Sequence, residues 1–276
     1  MSEVVSTNWL FKNKDNQNLV ILDCSWDMPN IEINFLNEYK KEHIKNSFFF
    51  NIEDICNKKT NLPHMLPSKK IFIKKTSQFN INKNSKIIAY ANNEIIGAAR
   101  VWWMFKYFGF NNISVLNGGL KKWKKENKPL TKRKSIKKQS TFIFKINNPW
   151  LCEAETIRLN IHNKEYLILD ARSKKRFKGL EYEPRKNLKL GHIPNSKNIF
   201  WKYLTKNNNL LLSKDKIKEI YSKFNLNNKK LVFTCGSGIS ACLLSLSLLH
   251  ALDIKGSVYD GSWAEWGSNN KLPIKK

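Results

Sequence analysis

Short apolar runs alternate with longer amphipathic segments along the whole chain. Each short run has the length and composition of a strand buried in a parallel sheet, and the segments between runs place apolar residues at helical spacing. Strands that alternate with helices predict an α/β fold. The predicted strands are Leu19–Asp23, Lys86–Tyr90, Ile113–Leu116 and 231–234, and the predicted helices are 71–79, 98–107, 120–126 and a largely buried helix from Ala241 onward.

The second half of the chain repeats the order of motifs found in the first half. Three pairs of stretches match at near-constant offset, which is difficult to obtain by chance and indicates an internal duplication. The matching pairs are 20–25 with 167–172, 42–47 with 191–196, and 116–123 with 259–266.

The duplication predicts two tandem α/β domains, each a parallel sheet flanked by helices. We expect an N-terminal domain over residues 1–130 and a C-terminal domain over residues 149–276. Residues 131–148 are charged and lack helical periodicity, which favours an interdomain linker.

Cys235 stands at the point in the second domain where a strand turns into a helix. Gly236 and Gly238 lie in the turn, and such a turn points backbone N–H groups inward to form a cradle for an anion. A Cys at a helix N-terminus can have its pKa lowered below the free value of ~8.5. The catalytic interpretation is therefore favoured over a buried structural Cys. Ala91 occupies the matching position of the first domain, so one active site is expected, with the first domain non-catalytic and supplying interface residues.

The loop sequence Cys-Gly-Ser-Gly-Ile-Ser-Ala at 235–241 resembles the active-site loop of the rhodanese superfamily. Its form is similar to the 3-mercaptopyruvate sulfurtransferase branch, which carries Cys-Gly-Ser/Thr-Gly-Val-Thr-Ala. The thiosulfate branch typically has Cys-Arg-Lys-Gly. The resemblance implies two tandem rhodanese-like domains and sulfur transfer from 3-mercaptopyruvate through a persulfide on Cys235, with release of pyruvate. It implies no metal and no cofactor. Substrate contacts are expected from Gly236, Gly238, Ile239 and Ser240.

Arg176 and Arg185 are the candidate anion-binding residues. Only six of the 49 basic residues are Arg, so Arg in this segment suggests a need for bidentate anion binding. Arg176 lies in Arg-Phe-Lys-Gly and Arg185 in Glu-Pro-Arg, and the resemblance implies that both bind the carboxylate or keto group of the substrate. Arg172, close to Asp170, is instead expected to form a structural ion pair. His192 is expected to be structural, because it has a duplicate in the first domain.

By the same resemblance, a hydroxyl, a histidine and an acid form a proton relay. The corresponding residues are Ser237, His64 in a Leu-Pro-His-Met-Leu-Pro loop, and Glu53. The family commonly has Asp where this chain has Glu53, which is one methylene longer.

The net charge of +27 raises the alternative of a non-catalytic basic protein that binds RNA. Lys is spread along the chain and Asn is also frequent, which an AT-rich genome would produce without a nucleic-acid partner. Thiosulfate as donor is a second alternative, although Gly236 and Ser237 give the loop no cation for a dianion. A phosphatase of the Cys-x5-Arg type would need Arg where Ala241 stands.

The five cysteines show no CxxC spacing, which argues against a disulfide framework and a zinc site. No apolar run is long enough to span a membrane, and the first residues lack the pattern of a secretory signal. We expect a cytoplasmic monomer without membrane or nucleic-acid partners. Its partners would be a small-molecule sulfur donor and an acceptor that is a thiol, cyanide or a reduced redox protein.

Overall fold

The computed structural model describes residues 2–26, 31, 33–226 and 228–276. The chain forms two compact units. The first comprises Met1–Asn57, Leu66–Asn147 and Asn207–Leu211, and the second comprises Lys58–Met65, Asn148–Lys206 and Leu212–Lys276.

The helices and strands follow one another as the alternating pattern predicts. The strands are β1 Val4–Val5, β2 Leu19–Asp23, β3 Ser47–Phe49, β4 Lys86–Tyr90, β5 Ile113–Leu116, β6 Leu151–Cys152, β7 Tyr166–Asp170, β8 Lys197–Asn198, β9 Thr205–Lys206, β10 Leu210–Leu211, β11 Lys230–Thr234 and β12 Ser257–Tyr259. The α-helices are α1 Thr7–Asn13, α2 Phe35–Lys41, α3 Lys69–Thr76, α4 Ile96–Tyr107, α5 Gly119–Lys125, α6 Ala154–Asn163, α7 Lys174–Phe177, α8 Lys214–Ser222, α9 Ala241–Leu252 and α10 Ser262–Trp266, and two 3-10 helices span Asn148–Trp150 and Trp201–Leu204.

Each unit is built on a five-stranded sheet, and the two sheets have the same strand order. The order is β1-β5-β4-β2-β3 in the first unit and β6-β12-β11-β7-β8 in the second. The described pairings within both sheets are parallel. The predicted α/β fold with two copies of one module is therefore confirmed.

Two histidines at matching positions make the same kinds of contact in the two units. His43 exchanges backbone hydrogen bonds with Thr131, and His192 exchanges them with Lys275. His43 stacks on Tyr39, while His192 stacks on Phe177 with ring centroids 3.8 Å apart. This duplicated packing confirms that His192 is structural.

Helix α9 is the most deeply buried helix among those described in the second unit. Its residues are predominantly leucine, and Leu243, Leu244, Leu246 and Leu248 are fully buried. Full burial of such a side chain stabilises the fold by roughly 1.5–3 kcal/mol before the loss of chain entropy is counted. The prediction of a buried helix after the Cys235 loop is confirmed.

Some elements do not follow from the hydrophobic pattern. Strand β1 has two residues and pairs with β5 at the sheet edge, so it is too short to show a period of two. Helix α1 has a recognisable start signal in the sequence, the N-cap residue Ser6. In the structure the Ser6 side chain accepts a hydrogen bond from the Trp9 amide.

The segment predicted as an interdomain linker packs mostly within the first unit. Thr131 bridges to His43, and Lys138 bridges to Phe79. Phe144 is buried, with its ring against Phe72. The predicted boundaries 131 and 148 stay a prediction.

In the described part of the chain, no helix is both long and apolar enough to cross a membrane.

Candidate active site

Cys235 follows β11 directly, and the loop that it opens ends where α9 begins at Ala241. Cys235 is only 2% exposed. Gly238 has φ +76°, a left-handed conformation that side chains other than glycine adopt at a cost. The loop therefore depends on Gly238 to turn the chain from the strand into the helix.

Three hydrogen bonds tie the loop to the segment around α10. The Trp263 amide donates to the Cys235 carbonyl at 3.0 Å, and the Ala264 amide donates to the Gly236 carbonyl at 2.8 Å. The Cys235 amide donates to Ser262 Oγ at 3.1 Å. The carbonyls at the start of the loop are thus occupied by α10, which fixes the backbone next to the thiol.

Four of the loop amides are available to a ligand. Within the described residues, no protein atom accepts a hydrogen bond from the amides of Gly236, Ser237, Ile239 or Ser240. Helix α9 adds the positive end of its dipole to this group, and its N-cap has no side-chain hydrogen bond. Donors of this kind at a helix N-terminus suit an anion or the sulfur of a thiolate.

A cation lies beside the loop, and it comes from α7. A Cβ built on Gly236 would lie 2.8 Å from Arg176 Nη2. The Arg176 guanidinium also forms an ion pair with Glu183, to which its Nε donates at 3.1 Å. The loop residues themselves carry no positive charge, as expected, but the site as a whole does.

Arg172 is the centre of a buried ion network. Its guanidinium bonds Asp170 at 2.7 Å and Glu183 at 2.7 Å, and its residue is 2% exposed. Burial by itself would lower the pKa of Arg172, but the two carboxylates raise it above its usual range. The expected structural ion pair with Asp170 is present.

His64 lies in the same compact unit as the Cys235 loop and contacts Arg185. The distance from Arg185 Nη2 to His64 Nε2 is 2.8 Å. A guanidinium can only donate, so Nε2 accepts, and the proton of the neutral imidazole is on Nδ1. The sequence does not reveal this pair, because the two residues are 121 positions apart.

Ser237 is buried in the loop at 5% exposure. Glu53 belongs to the first unit, where its Oε1 accepts a hydrogen bond of 2.7 Å from Trp26 Nε1. The relay of Ser237, His64 and Glu53 stays a prediction.

The environments of other cysteines argue against a reactive thiol. Burial raises the pKa of the Cys24 thiol well above its usual range and that of Cys152 to about 12. Cys242 Sγ donates to the Gly238 carbonyl at 3.1 Å, inside the first turn of α9. Their positions are those of packing residues.

Glu183, Ser262 and Trp263 were not among the predicted site residues. A signal existed for Glu183, since it precedes Pro184 and Arg185 in a segment rich in charges of both signs. Ser262 and Trp263 reach the loop only through the fold, because α10 follows the neighbouring strand β12.

A duplicated parallel α/β fold with a thiol in an amide-lined loop defines a two-domain α/β protein with a candidate thiol nucleophile. The family model of the rhodanese-like domain matches residues 6–126 and 153–269, so this chain belongs to the rhodanese family.

Two relatives that align with nearly the whole chain are named as sulfurtransferases. "Thiosulfate/3-mercaptopyruvate sulfurtransferase 1, mitochondrial" of Arabidopsis thaliana is 34% identical over 99% of this chain and 78% of its own length. The 3-mercaptopyruvate sulfurtransferase of Escherichia coli strain K12 is 30% identical over 98% of this chain and 97% of its own. The crystal structure of SseA from Escherichia coli matches with a TM-score of 0.86 at 28% identity, covering 95% of this chain and 99% of that one.

These relatives confirm the predicted family, the predicted pair of rhodanese-like domains and the predicted enzyme class, transfer of sulfur-containing groups.

Proposed function

We propose that this enzyme moves the sulfur of 3-mercaptopyruvate to a thiophilic acceptor through a persulfide on Cys235. The observation that carries the proposal is the combination in one unit of a thiol, the amides of Gly236, Ser237, Ile239 and Ser240 left without a protein acceptor among the described residues, and a guanidinium beside Gly236. The names of the relatives from Arabidopsis thaliana and Escherichia coli support the choice of donor.

In the first half of the reaction, the Cys235 thiolate attacks the sulfur of mercaptopyruvate. A sulfur–sulfur bond forms, the carbon–sulfur bond of the donor breaks, and the electron pair goes to the enolate of pyruvate. A proton then converts the enolate to pyruvate, leaving Cys235 as a persulfide. The amides of the loop stabilise the negative charge on the transferred sulfur.

In the second half, an acceptor thiolate or cyanide attacks the outer sulfur of the persulfide. The sulfur–sulfur bond breaks, and the Cys235 thiolate is regenerated as the acceptor leaves with the sulfur. Small thiols, cyanide and reduced redox proteins can all serve in this step.

Ser237 and His64 supply the proton for the enolate in this proposal, with Glu53 as the third member of the relay. The bond from Arg185 keeps Nε2 of His64 as an acceptor, so His64 transfers its proton from Nδ1. Arg176 and Arg185 bind the carboxylate and keto group of the donor. Gly236, Gly238, Ile239 and Ser240 contact it through the loop.

The first unit supplies no nucleophile in this proposal, because Ala91 stands where the second unit has Cys235. The domain boundaries proposed are residues 1–130 and 149–276. The enzyme is a monomer and is located in the cytoplasm. The five free cysteines suit this location because thiols persist in reducing compartments.

Thiosulfate is a second candidate donor. The guanidinium of Arg176 beside Gly236 provides a cation for a compact dianion that the loop sequence lacks. The relative from Arabidopsis thaliana carries both donors in its name.

Steady-state assays with 3-mercaptopyruvate and thiosulfate, run side by side on the wild type and on Cys235→Ser, test the proposal. We expect higher kcat/KM with mercaptopyruvate and loss of both activities in Cys235→Ser. After treatment with donor alone, mass spectrometry of the wild type should show one added sulfur on Cys235.

Cys242→Ser is the matched control, since Cys242 lies seven positions later in the first turn of α9 and should tolerate the change catalytically. Preference for thiosulfate would select the second candidate. A persulfide on another cysteine would contradict the assignment of the nucleophile.

A further inference from the structure

The carboxylate of Glu183 lies between two guanidinium groups. Oε1 accepts from Arg172 Nη1 at 2.7 Å, and Oε2 accepts from both Nε and Nη2 of Arg176. The Glu183 side chain is only 3% exposed. A buried carboxylate that takes charge-assisted bonds from two planar cations restricts the orientation of both.

Arg172 is anchored to the sheet and to the segment that holds the Cys235 loop. It bonds Asp170 at the end of β7 and the Gly191 carbonyl at 2.9 Å. Its guanidinium carbon lies 4.4 Å from the ring centroid of Trp263, whose amide donates to the Cys235 carbonyl. Because these contacts restrain the Arg172 guanidinium, Glu183 has a fixed support on that side.

Arg176 is the more exposed of the two arginines that contact Glu183. Its side chain is 14% exposed, against 1% for Arg172, and its Nη2 reaches the space over Gly236. A long arginine side chain would otherwise sample many rotamers. The bonds to Glu183 hold its guanidinium next to the loop that carries Cys235.

The first unit has the same strand order without an equivalent arginine network. Its matching strand ends at Asp23, and no Arg occurs in the sequence between Asp23 and His43. There, the Ser25 hydroxyl donates to Asp23 and accepts from the Asn92 amide. Both sheets have the same strand order, so at the matching strand end the first unit has a serine hydroxyl on Asp23 where the second has a guanidinium on Asp170.

We propose that Glu183 is the positioning residue that holds Arg176 beside the Cys235 loop, so that the guanidinium meets the carboxylate of the donor in a fixed orientation. Gly236 completes the arrangement, because a Cβ there would lie 2.8 Å from Arg176 Nη2 and would displace the guanidinium. The proposal rests on the function proposed above and assigns Glu183 no contact with the donor.

Glu183→Gln keeps the shape of the side chain but gives it an NH2 group that faces a guanidinium. One of the bonds must then be lost, and Arg176 has fewer other anchors than Arg172. We expect the KM for mercaptopyruvate to rise at least about tenfold, since a hydrogen bond to a charged group is worth about 1.5–3 kcal/mol. The kcat should change by less than about twofold, because the clamp acts equally on bound donor and transition state.

A double-mutant cycle separates positioning from a general structural role. In the Arg176→Ala background, Glu183→Gln should change KM by less than about twofold, because there is no guanidinium left to position. An equal loss in both backgrounds would overturn the proposal.

Two further variants sharpen the result. Glu183→Asp keeps the negative charge but is too short to bridge both guanidinium groups, so it should raise KM as Glu183→Gln does. Wild-type kinetics for Glu183→Asp would show that charge alone matters and would overturn the proposal. Glu181→Gln is the matched control, since it removes the same charge from an exposed residue of the same segment and should leave KM unchanged.

Alkylation of Cys235 tests Arg176 placement without sulfur transfer. A positioned guanidinium favours iodoacetate over neutral iodoacetamide, so the ratio of the two rates at Cys235 should fall in Glu183→Gln to the value of Arg176→Ala. Peptide mass spectrometry follows Cys235 alone. If the wild type had no sulfurtransferase activity but the ratio still fell in Glu183→Gln, the proposed function would be refuted and the positioning role would stand. An unchanged ratio would overturn the positioning role.

Discussion

At the residue scale, surroundings and not chemical type distinguish Cys235 from Cys24 and Cys152. Cys24 and Cys152 are buried among groups that disfavour a thiolate, and burial raises the pKa of both thiols. Cys235 is equally buried but stands at the opening of an amide-lined loop before a helix. Burial without such donors makes a packing residue, whereas burial with them prepares a site for negative charge.

The relay can be tested by removing its hydroxyl and its imidazole separately. Ser237→Ala and His64→Ala should each lower turnover of mercaptopyruvate by about 100-fold, within the range for general acid–base catalysis. Thiosulfate turnover should fall less, because sulfite leaves without needing a proton on carbon. The two donors are assayed on the same preparations, so a folding defect would lower both rates together. Equal losses for both donors would contradict the relay.

At the element scale, the second unit depends on how α7 and the segment after it dock against the end of β7. Arg172 makes this connection, through Asp170 on one side and Glu183 on the other. A buried ion pair of this kind is weak evidence for net stability, but the removal of one partner leaves a buried charge without compensation.

Arg172→Ala should therefore lower the free energy of unfolding by about 3–5 kcal/mol, since it removes the guanidinium partner of buried Asp170 and one of the two partners of buried Glu183. Arg158→Ala is the matched control, because that arginine pairs with Glu155 on the exposed face of α6 and should have no measurable effect. Urea unfolding followed by circular dichroism gives both values. If Arg172→Ala lowers the free energy of unfolding no more than Arg158→Ala does, the buried ion network does not stabilise the fold.

At the scale of the whole molecule, the net charge of +27 does not define a binding face by itself. Lysines are distributed over both units, and several pair with carboxylates in the first unit, as Lys122 and Lys128 do with Glu126. Burial would raise the pKa of Glu126, but hydrogen bonds from Lys122, Lys128 and Thr7 lower it to about 2. Part of the basic excess thus serves local pairing.

The stability of the chain should depend on pH through His250 at the end of α9. Burial and the charge of Lys214 lower the pKa of His250 to about 4. The unfolded chain, with an ordinary pKa of about 6.5, binds a proton between pH 6.5 and 4 that the folded chain does not bind. Its contribution to stability is therefore full above pH 6.5 and is lost as the pH falls toward 4.

Thermal unfolding of the wild type and His250→Gln across pH 4 to 7.5 measures this contribution. The difference in melting temperature between the two should change with pH below 6.5 and stay constant above it. His162→Gln is the control, because His162 is exposed on α6. A difference that is constant over the whole range would show that His250 does not couple folding to protons.

The sequence by itself determined the elements whose signals are local. Leu19–Asp23, Lys86–Tyr90 and Ile113–Leu116 are strands with the predicted bounds, because a buried parallel strand is written as a continuous apolar run. The duplication and the family were also readable, since repeated motifs keep their order along the chain. The Cys235 loop was recognisable because its strand, turn and helix are consecutive.

Only the tertiary structure decided which distant residues meet. It places residues 58–65 in the second unit, and so brings His64 to Arg185 across 121 positions. It also makes Glu183 the bridge between Arg172 and Arg176, whereas in the sequence these are three among many charged residues of one segment. The physical reason is that local patterns specify backbone periodicity and turns, whereas the neighbours of a polar side chain are set by strand order and by segments that return from elsewhere in the chain.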